Sequence, residues 1–415
     1  MKYKLKVKLN GELSMKHELK SEALTWVDKL RDEILFISEY LYRNPELGSE
    51  EFKAYNLLTG ILKKHEFKVD EELLGMKTAF KASFKGMSEK PKIAFLAEYD
   101  ALPGIGHGCG HNVIAATAVG AAIAISKVIH KINGEIIVIG TPAEEGNGPY
   151  AGSKIMMVEK GIFNDIDAVL MMHPTSGGKA STRTEALAVQ SFRVVFRGKT
   201  AHAAANPELG INALNAVMIM FRGIDALRQH IRKDARIHGI ILKGGEASNI
   251  IPDYAEARVS IRAADLEYFN ILKEKVLNCI RGAAIMTETK YEVEEVGPLY
   301  REKKIYHKLA DIVDRNLIEH GFKLISMEEL IRRGPVASTD FGNVTQVVPA
   351  ISASIPITNE IIPGHSKEFA DATMTDEGRR RTILSTKVLV GSAMDLLLDE
   401  KLMKEVKREF EEMKK

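Results

Sequence analysis

The chain has 415 residues, of which 45% are hydrophobic and 27% are charged, and its formal net charge at pH 7 is +2. This length exceeds what one hydrophobic core normally supports, so we expect two domains in a soluble globular protein. The near balance of charge argues against nucleic acid or a polyanionic surface as a partner. The least polar segment, 113–125, is shorter than the roughly 20 residues that span a membrane and predicts a buried helix.

Cysteine usage and the start of the chain bear on the compartment. Cys109 and Cys279 are the two cysteines of the sequence, and they cannot form a disulfide framework for a chain of this length. Such economy is typical of a reducing compartment, so we expect a cytoplasmic protein. The first residues, MKYKLKVKLNGEL, alternate lysine with apolar residues and predict a short strand or hairpin, not a signal peptide.

The first part of the chain predicts helices and then strands that end in polar residues. Apolar spacing predicts a helix over 22–42 and, after the break NPELGSE, a second helix to about residue 65. Short apolar strands then alternate with helices, and polar residues lie at or just beyond their carboxyl ends: KIAFLAEYD, EIIVIGTPAEEG, DAVLMMHP and AISASIP. Uninterrupted apolar strands between helices favour a mainly parallel sheet covered on both faces, with its site outside the carboxyl ends of the strands.

A separate module is predicted between residues 188 and 298. Its elements follow in the order β-α-β-β-α-β, which is that of a ferredoxin-like unit. We therefore predict an α/β protein in which 1–187 and 299–415 form one discontinuous domain with the mainly parallel sheet. An α+β domain, 188–298, is inserted into it.

The segment GIGHGCGHN, residues 104–112, places Cys109 two residues before His111 among glycines. Buried cysteines usually only pack, and structural zinc sites generally use several Cys or His pairs, so this motif alone is weak. Because the chain lacks a second cysteine pair, a zinc finger is excluded. A catalytic metal site, which combines ligands from distant strands, fits better.

Three further strand ends carry residues of matching chemistry. Glu144 and Glu145 are adjacent, and neighbouring side chains of extended backbone point in opposite directions, so one can face a metal and the other the attacking water. His173 lies in MMHP and His365 in PGH. Each residue alone has an ordinary structural explanation. The candidate ligands form a chemically consistent set together: Cys109, His111, Glu145, His173 and His365.

Five stretches together resemble the M20 family of metallopeptidases and amidohydrolases: AEYDALPGIGHGCGHN, TPAEEGNGP, KTAHAAANP, SNIIPDYAEARVSIR and STDFGNVTQVVPAI. They are most similar to the aminobenzoyl-glutamate hydrolase and β-alanyl-dipeptidase-like group of its aminoacylase-like branch. The resemblance covers residues from about 35 to about 392. It implies a metal-binding catalytic domain and, in the inserted module, a lid and dimerisation domain.

The resemblance also implies two divalent metal ions per subunit, most simply zinc, with manganese or cobalt as alternatives. Cys109 would bridge the ions, His111 and His173 would complete one site, Glu145 and His365 would complete the other, and Glu144 would be the general base. Asp100 matches an acid that orients a ligand. Glu98 stands where many family members carry a metal-binding histidine, so a direct role for it is open, and we interpret His107 as a supporting or structural residue.

Residues of the inserted domain match substrate-binding positions of the family. His202 matches a histidine that reaches across a dimer to polarise the scissile carbonyl. Asn249 and Arg262 match residues that hold the substrate, the arginine by pairing with a free carboxylate. From the residues alone, a strand-face salt bridge explains Arg262 equally well, and a turn explains Asn249.

The resulting hypothesis is a homodimeric, metal-dependent amidohydrolase. It would cleave N-acyl or N-aroyl amino acids, such as aminobenzoyl-glutamate, or small dipeptides. The alternatives are a dipeptidase or carboxypeptidase of the same family, or a catalytically silent metal-dependent binding protein. A binding protein has no need of a general base, so Glu144 argues against it. A redox protein built on Cys109 would need a resolving cysteine, for which Cys279 is poorly placed.

Overall fold

The computed structural model of the protein describes residues 2–334 and 337–414, with side chains from Ser14 onward. The chain divides into two compact units. The first unit comprises Met1–Thr184, Lys304–Arg332 and Asn343–Lys415, and the second comprises Glu185–Lys303 with Arg333–Gly342.

Helices and strands alternate through much of both units. The α-helices are α1 (Lys2–Lys29), α2 (Arg31–Arg43), α3 (Phe52–Lys64), α4 (His111–Ser126), α5 (Ser153–Glu159), α6 (Ala213–Leu227), α7 (Leu266–Thr287), α8 (His307–Glu319), α9 (Met327–Arg333), α10 (Phe341–Val344), α11 (Lys367–Ala372), α12 (Asp376–Leu398) and α13 (Glu400–Glu412). The β-strands are β1 (Lys68–Glu71), β2 (Phe80–Lys85), β3 (Lys92–Ala97), β4 (Glu135–Gly140), β5 (Ala168–Thr175), β6 (Lys179–Ala180), β7 (Ala188–Arg197), β8 (Arg236–Lys243), β9 (Tyr254–Ala263), β10 (Lys290–Tyr300), β11 (Lys323–Leu324) and β12 (Ala350–Pro356).

The first unit is built on a six-stranded sheet with the order β1-β2-β4-β3-β5-β12. Strands β4, β3, β5 and β12 are parallel to one another, whereas β2 pairs antiparallel with β4, and β1 pairs antiparallel with β2 at the edge. The parallel strands are almost continuously buried, as expected for strands that are covered on both faces. The predicted mainly parallel α/β sheet is confirmed, and the carboxyl ends of its four parallel strands lie at one edge.

Helix α4 is the central helix of the first unit, and all of its residues are buried. Its alanines present little bulk, so it packs closely against β3 and β5 and against α2 and α12. The sequence prediction of a buried helix at 113–125 is therefore confirmed. Among residues 2–334 and 337–414, every helix is too short or too polar to cross a lipid bilayer.

The start of the chain differs from the sequence prediction. Instead of a strand or hairpin, the backbone is helical from Lys2 as part of α1. Lysine and leucine are good helix formers and the segment contains no proline. Helix α1, whose later turns bury Leu19, Ala23 and Val27, therefore extends back through it.

The second unit has a four-stranded antiparallel sheet with the order β10-β7-β9-β8. Its chain order β7-α6-β8-β9-α7-β10 is the predicted ferredoxin-like order. Helices α6 and α7 begin at the side-chain caps Asn212 and Asp265 and bury apolar residues such as Met220 and Leu272 in a core of their own. The alternating burial of β9 shows that helices cover one face of the sheet.

Candidate metal centre

Ionisable side chains follow β3 and β4, lie near the end of β5 and follow β12, all at the same edge of the first unit's sheet. The segment after β3 leads through the glycine-rich stretch to His111, the first residue of α4. Gly110 has φ +79°, and a Cβ added there would lie 2.3 Å from Pro174 Cγ. A Cβ on Gly108 would lie 2.7 Å from Ile105 Cγ2. Glycine is therefore required for this loop to pass close to the strand that carries His173.

The Asp100 carboxylate orients two of the candidate ligands. Its Oδ1 accepts a hydrogen bond from His111 Nδ1 at 2.9 Å, and its Oδ2 accepts one from the Glu145 backbone N–H at 2.9 Å. Burial alone would raise the pKa of Asp100, but the charge of His111 and these hydrogen bonds hold the pKa below its usual value. The predicted supporting acid therefore contacts both residues.

The hydrogen bond to Asp100 fixes which ring nitrogen of His111 is free for a ligand. Because Nδ1 donates to oxygen acceptors, Nε2 is the nitrogen that offers a lone pair when the ring is neutral. This Nε2 is buried and has no hydrogen-bond partner among the described residues. It lies 3.8 Å from Glu144 Oε2 and 3.8 Å from Glu145 Oε1. Burial lowers the pKa of His111. Interactions with Asp100 and Cys109 outweigh burial and raise this pKa well above its usual value.

Cys109 and His173 face each other across the same space. His173 Nδ1 donates to the Pro174 carbonyl at 2.9 Å, which leaves Nε2 as its lone-pair nitrogen, 3.5 Å from Cys109 Sγ. Burial raises the pKa of the Cys109 thiol to about 12. Coordination to a metal ion would deprotonate such a thiol outright.

His365 approaches from the loop after β12. Its backbone has φ +58°, and its N–H donates to the Gly108 carbonyl at 2.9 Å, which ties this loop to the segment that carries Cys109. Its Nε2 lies 3.7 Å from Glu145 Oε2, although its side chain is 58% exposed.

The donor atoms fall into groups that could hold metal ions. Cys109, His111 and His173 form one group and Cys109, Glu145 and His365 form a second, each with donor atoms within 4.8 Å of one another. Sulfur, nitrogen and carboxylate oxygen suit zinc and also manganese or cobalt. Buried polar atoms without hydrogen-bond partners are uncommon in proteins. Here His111 Nε2 and Glu145 Oε1 are buried and lack hydrogen-bond partners among the described residues. The residues therefore fit divalent ions.

Glu98 has a different partner, which the sequence did not reveal. Its Oε1 lies 2.9 Å from Nζ of Lys154, and both side chains are buried. Burial raises the pKa of Glu98, but Lys154 and the neighbouring histidines lower this pKa by more. The pKa of Glu98 therefore lies below its usual value. Glu98 also lies in a third possible donor group with His111 and Glu144. Lys154 lies among apolar residues of α5, SKIMMVE, and these neighbours are the one sequence signal that Lys154 is buried.

His107 belongs to none of these donor groups. It is fully buried, and burial together with the charge of His111 lowers its pKa to about 3. The ring is therefore neutral at physiological pH.

The remaining predicted residues lie in the second unit. His202 and Asn249 are exposed and lie on neighbouring segments joined by backbone hydrogen bonds, such as Ala203 N–H to Asn249 O at 2.9 Å, and Asn249 lies in a turn. Arg262 is half-buried on β9 and donates to Ser338 Oγ at 2.8 Å. Burial lowers the pKa of Arg262.

Comparison with known proteins identifies the family of the chain. Residues 94–378 match the model of peptidase family M20/M25/M40. The chain is 32% identical over 404 residues to the Xaa-Arg dipeptidase of Mus musculus, covering 94% of this chain and 92% of that protein. It is 30% identical over 448 residues to a p-aminobenzoyl-glutamate hydrolase component from Escherichia coli (strain K12), covering 91% and 92% of the two chains. A dinuclear metal-binding peptidase of the M20 family from Bacillus subtilis has a similar fold, with a TM-score of 0.69 at 19% identity over 89% of this chain and 99% of that one.

The chain belongs to peptidase family M20/M25/M40. It is a metal-dependent hydrolase that acts on peptide or amide C–N bonds.

Proposed function

We propose that this protein hydrolyses the amide bond of N-acyl or N-aroyl amino acids, or of small dipeptides, that carry a free carboxylate. The observation that carries the proposal is the pair of donor groups that share Cys109 and lie beside Glu144. A shared thiolate suits two ions rather than one, and an adjacent carboxylate outside both groups suits a base.

The proposed ligands are Cys109 between the two ions, His111 and His173 at one ion, and Glu145 and His365 at the other. Bound divalent ions would polarise the scissile carbonyl and lower the pKa of a water molecule. Zinc is the simplest choice for this donor set, with manganese or cobalt as alternatives.

Glu144 is the proposed general base. In this role its carboxylate takes a proton from the attacking water and delivers it to the departing amine nitrogen. Asp100 supports both donor groups, because it accepts hydrogen bonds from the His111 ring and from the Glu145 backbone.

His202, Asn249 and Arg262 are the proposed substrate-binding residues. Nδ1 of His202 accepts from the backbone N–H groups of Ala204 and Ala205 at 3.2 and 3.1 Å, so Nε2 carries the proton. That N–H suits stabilisation of an oxyanion in the partner subunit of a dimer. Arg262 would pair with the substrate carboxylate, and Ser338 would hold its guanidinium in place.

The names of relatives support a substrate in which an amide bond joins an acyl group to an amino acid with a free carboxylate. They include an Xaa-Arg dipeptidase, a p-aminobenzoyl-glutamate hydrolase and an N-acetyl-L-cysteine deacetylase. Each name denotes cleavage of an amide that joins an acyl group to an amino acid. The common product is an amino acid with a free carboxylate, which matches the proposed role of Arg262.

A panel of amides tests the proposal. Metal-stripped protein would be resupplied with zinc, manganese or cobalt and assayed on aminobenzoyl-glutamate, N-acetyl amino acids, β-alanyl dipeptides and dipeptides ending in arginine. We expect metal-dependent turnover that is lost in Glu144→Ala and kept in Glu360→Ala, which removes an exposed loop glutamate. Stoichiometric metal binding without turnover of any amide would favour a binding protein, and full activity of Glu144→Ala would refute its role.

A further inference from the structure

Glu51 is a buried carboxylate that the proposed chemistry does not use. It lies directly before α3, and its side chain is inaccessible to solvent. Its Oε1 accepts a hydrogen bond from the Ala143 backbone N–H at 2.8 Å, and its Oε2 accepts one from the Thr78 hydroxyl at 2.9 Å. One side chain therefore joins the start of α3, the segment before β2 and the turn after β4.

The turn that Glu51 contacts has an unfavourable backbone conformation. Ala143 has φ +57°, which lies in the left-handed region that residues other than glycine rarely adopt. Such a conformation persists only where the surroundings hold it in place. Gly48 packs against the same residue so closely that an added Cβ would lie 2.9 Å from Ala143 Cα. The segment 48–51 thus braces the turn both by packing and by a hydrogen bond.

The contacts of Glu51 extend through Thr78 to the end of β3. The Tyr99 hydroxyl donates to the backbone carbonyl of Thr78, and both residues are buried. Tyr99 lies between Glu98 and Asp100, and Asp100 accepts from the Glu145 N–H. Two carboxylates therefore hold the same turn, Glu51 at the residue before Glu144 and Asp100 at the residue after it.

We propose that Glu51 is a positioning residue for Glu144. Its carboxylate stabilises the left-handed turn at Ala143 and so fixes the direction in which the next side chain leaves the backbone. This inference rests on the proposed function, in which Glu144 is the general base. A general base must lie within hydrogen-bond reach of the proton that it takes, so a small rotation of the turn lowers the rate.

The chemistry of Thr78 makes a conservative replacement possible. Its hydroxyl can donate or accept, so a glutamine amide at position 51 can keep its oxygen on Ala143 and direct its NH2 to Thr78 Oγ1. The same holds for a protonated Glu51. Burial, assisted by the charge of Asp100, raises the pKa of Glu51 to about 7, and Tyr99 and Tyr55 are further ionisable groups of this cluster. Hydrogen bonding, not negative charge, is thus the property that positions the turn.

The test compares Glu51→Ala and Glu51→Gln in the full chain, loaded with the activating metal and assayed on the best amide of the panel. Glu46→Ala is the matched control, because Glu46 Oε2 accepts from the N–H groups of Lys53 and Ala54 at the start of the same helix. We expect Glu51→Ala to lower kcat about tenfold or more with little change in KM or bound metal. Glu51→Gln and Glu46→Ala should keep most of kcat.

Two results would overturn the inference: an unchanged kcat in folded Glu51→Ala, or a kcat of Glu51→Gln as low as that of Glu51→Ala. If Glu51→Ala does not fold, Thr78→Val replaces it, since loss of the Thr78 hydroxyl frees one oxygen of Glu51 and should lower kcat moderately. An unchanged kcat in Thr78→Val would then count against the inference. Glu144→Ala, run in parallel, separates the two proposals. If it stays active, the proposed function fails; if it is inactive while Glu51→Ala is normal, only this inference fails.

Discussion

Lys154 and Glu98 form an ion pair of 2.9 Å in which the two side chains are only 0% and 1% exposed. Both side chains are removed from water, and each charge partly compensates the other. Glu98 Oε2 lies 3.4 Å from His111 Nε2, so this pair lies against the candidate metal centre. Lys154 therefore gives Glu98 a structural partner beside the candidate ligands.

Removal of Lys154 alone should leave the Glu98 carboxylate buried without its lysine partner. We expect Lys154→Met to lower the free energy of unfolding of the metal-free protein by about 3–5 kcal/mol, measured by denaturant titration. Adding Glu98→Gln should recover part of this loss. The control is Lys404→Met, which breaks an exposed pair with Glu400 and should cost less than about 1 kcal/mol. A double variant no more stable than Lys154→Met would contradict the pairing.

Much of the fold could be predicted because the relevant signals are local. Strands β3, β4, β5 and β12 are short apolar runs that end near polar residues, and the parallel sheet follows from their alternation with helices. The candidate ligands could be singled out in the same way, since thiol, imidazole and carboxylate groups at strand ends have matching chemistry. The structure brings these groups together, and their roles as ligands stay predictions.

The supporting residues could not be predicted because their partners are distant in sequence. The hydrogen bond from Ala143 to Glu51 spans 92 residues, and NPELGSE gave only the signal of a helix break. Lys154 contacts an acid at position 98, and no local pattern indicates that partner. Similarly, Arg333–Gly342 belongs to the second unit, although the preceding segment, Lys304–Arg332, already belongs to the first unit.

Stability should depend on pH through Glu51. Its pKa in the folded protein is about 7 against an ordinary value of 4.5, so the native state retains a proton that the unfolded state has lost over this range. The free energy of unfolding of the metal-free protein should therefore fall as pH rises from 4.5 to 7, by at most about 3 kcal/mol from this group. Glu51→Gln cannot ionise and should be more stable than the wild type at pH 8.

This difference should vanish as the pH approaches 4.5, where the wild-type side chain is protonated in both states. Denaturant titrations of both proteins with chelator present, from pH 4.5 to 8, would measure it. An advantage of Glu51→Gln that stays constant with pH, or a disadvantage at pH 8, would contradict the raised pKa.

Metal content should respond differently to two ligand substitutions. Cys109 belongs to both donor groups, whereas His365 belongs to one. We expect His365→Ala to lose one of two bound ions and Cys109→Ala to lose or weaken both, as measured by elemental analysis after dialysis against zinc. Cys279→Ala controls for loss of a thiol, because this cysteine packs beside the core of the second unit. Equal stoichiometry in the two ligand variants would argue against a bridging Cys109.

Substrate affinity should depend on the hydrogen bond between Arg262 and Ser338. If the guanidinium binds the substrate carboxylate, Arg262→Lys removes the bidentate geometry and should raise KM by about tenfold with a smaller effect on kcat. Ser338→Ala leaves the charge but frees the guanidinium, so a smaller rise in KM is expected. Arg193→Lys, on the neighbouring strand β7 and paired with Glu256, serves as the control. An unchanged KM in Arg262→Lys would refute the carboxylate-binding role.

Dimerisation should depend on β8, one of the two edge strands of the second unit's sheet. An edge strand presents unpaired backbone groups, and an exposed apolar edge is a template for pairing with a second strand. Here Ile240, Ile241 and Leu242 are 59%, 46% and 44% exposed. A second copy of β8 would cover both the backbone groups and this apolar surface.

We therefore expect sedimentation equilibrium to give twice the mass of one chain for the wild type, and a shift to the mass of one chain for Ile240→Lys/Leu242→Lys. Ile285→Lys/Met286→Lys, at 80% and 72% exposed positions in α7, adds the same charge away from the edge and should leave the dimer intact. Because His202 is proposed to act across the dimer, the β8 variant should also lose turnover while it keeps its bound metal; a fully active monomer would refute that role of His202.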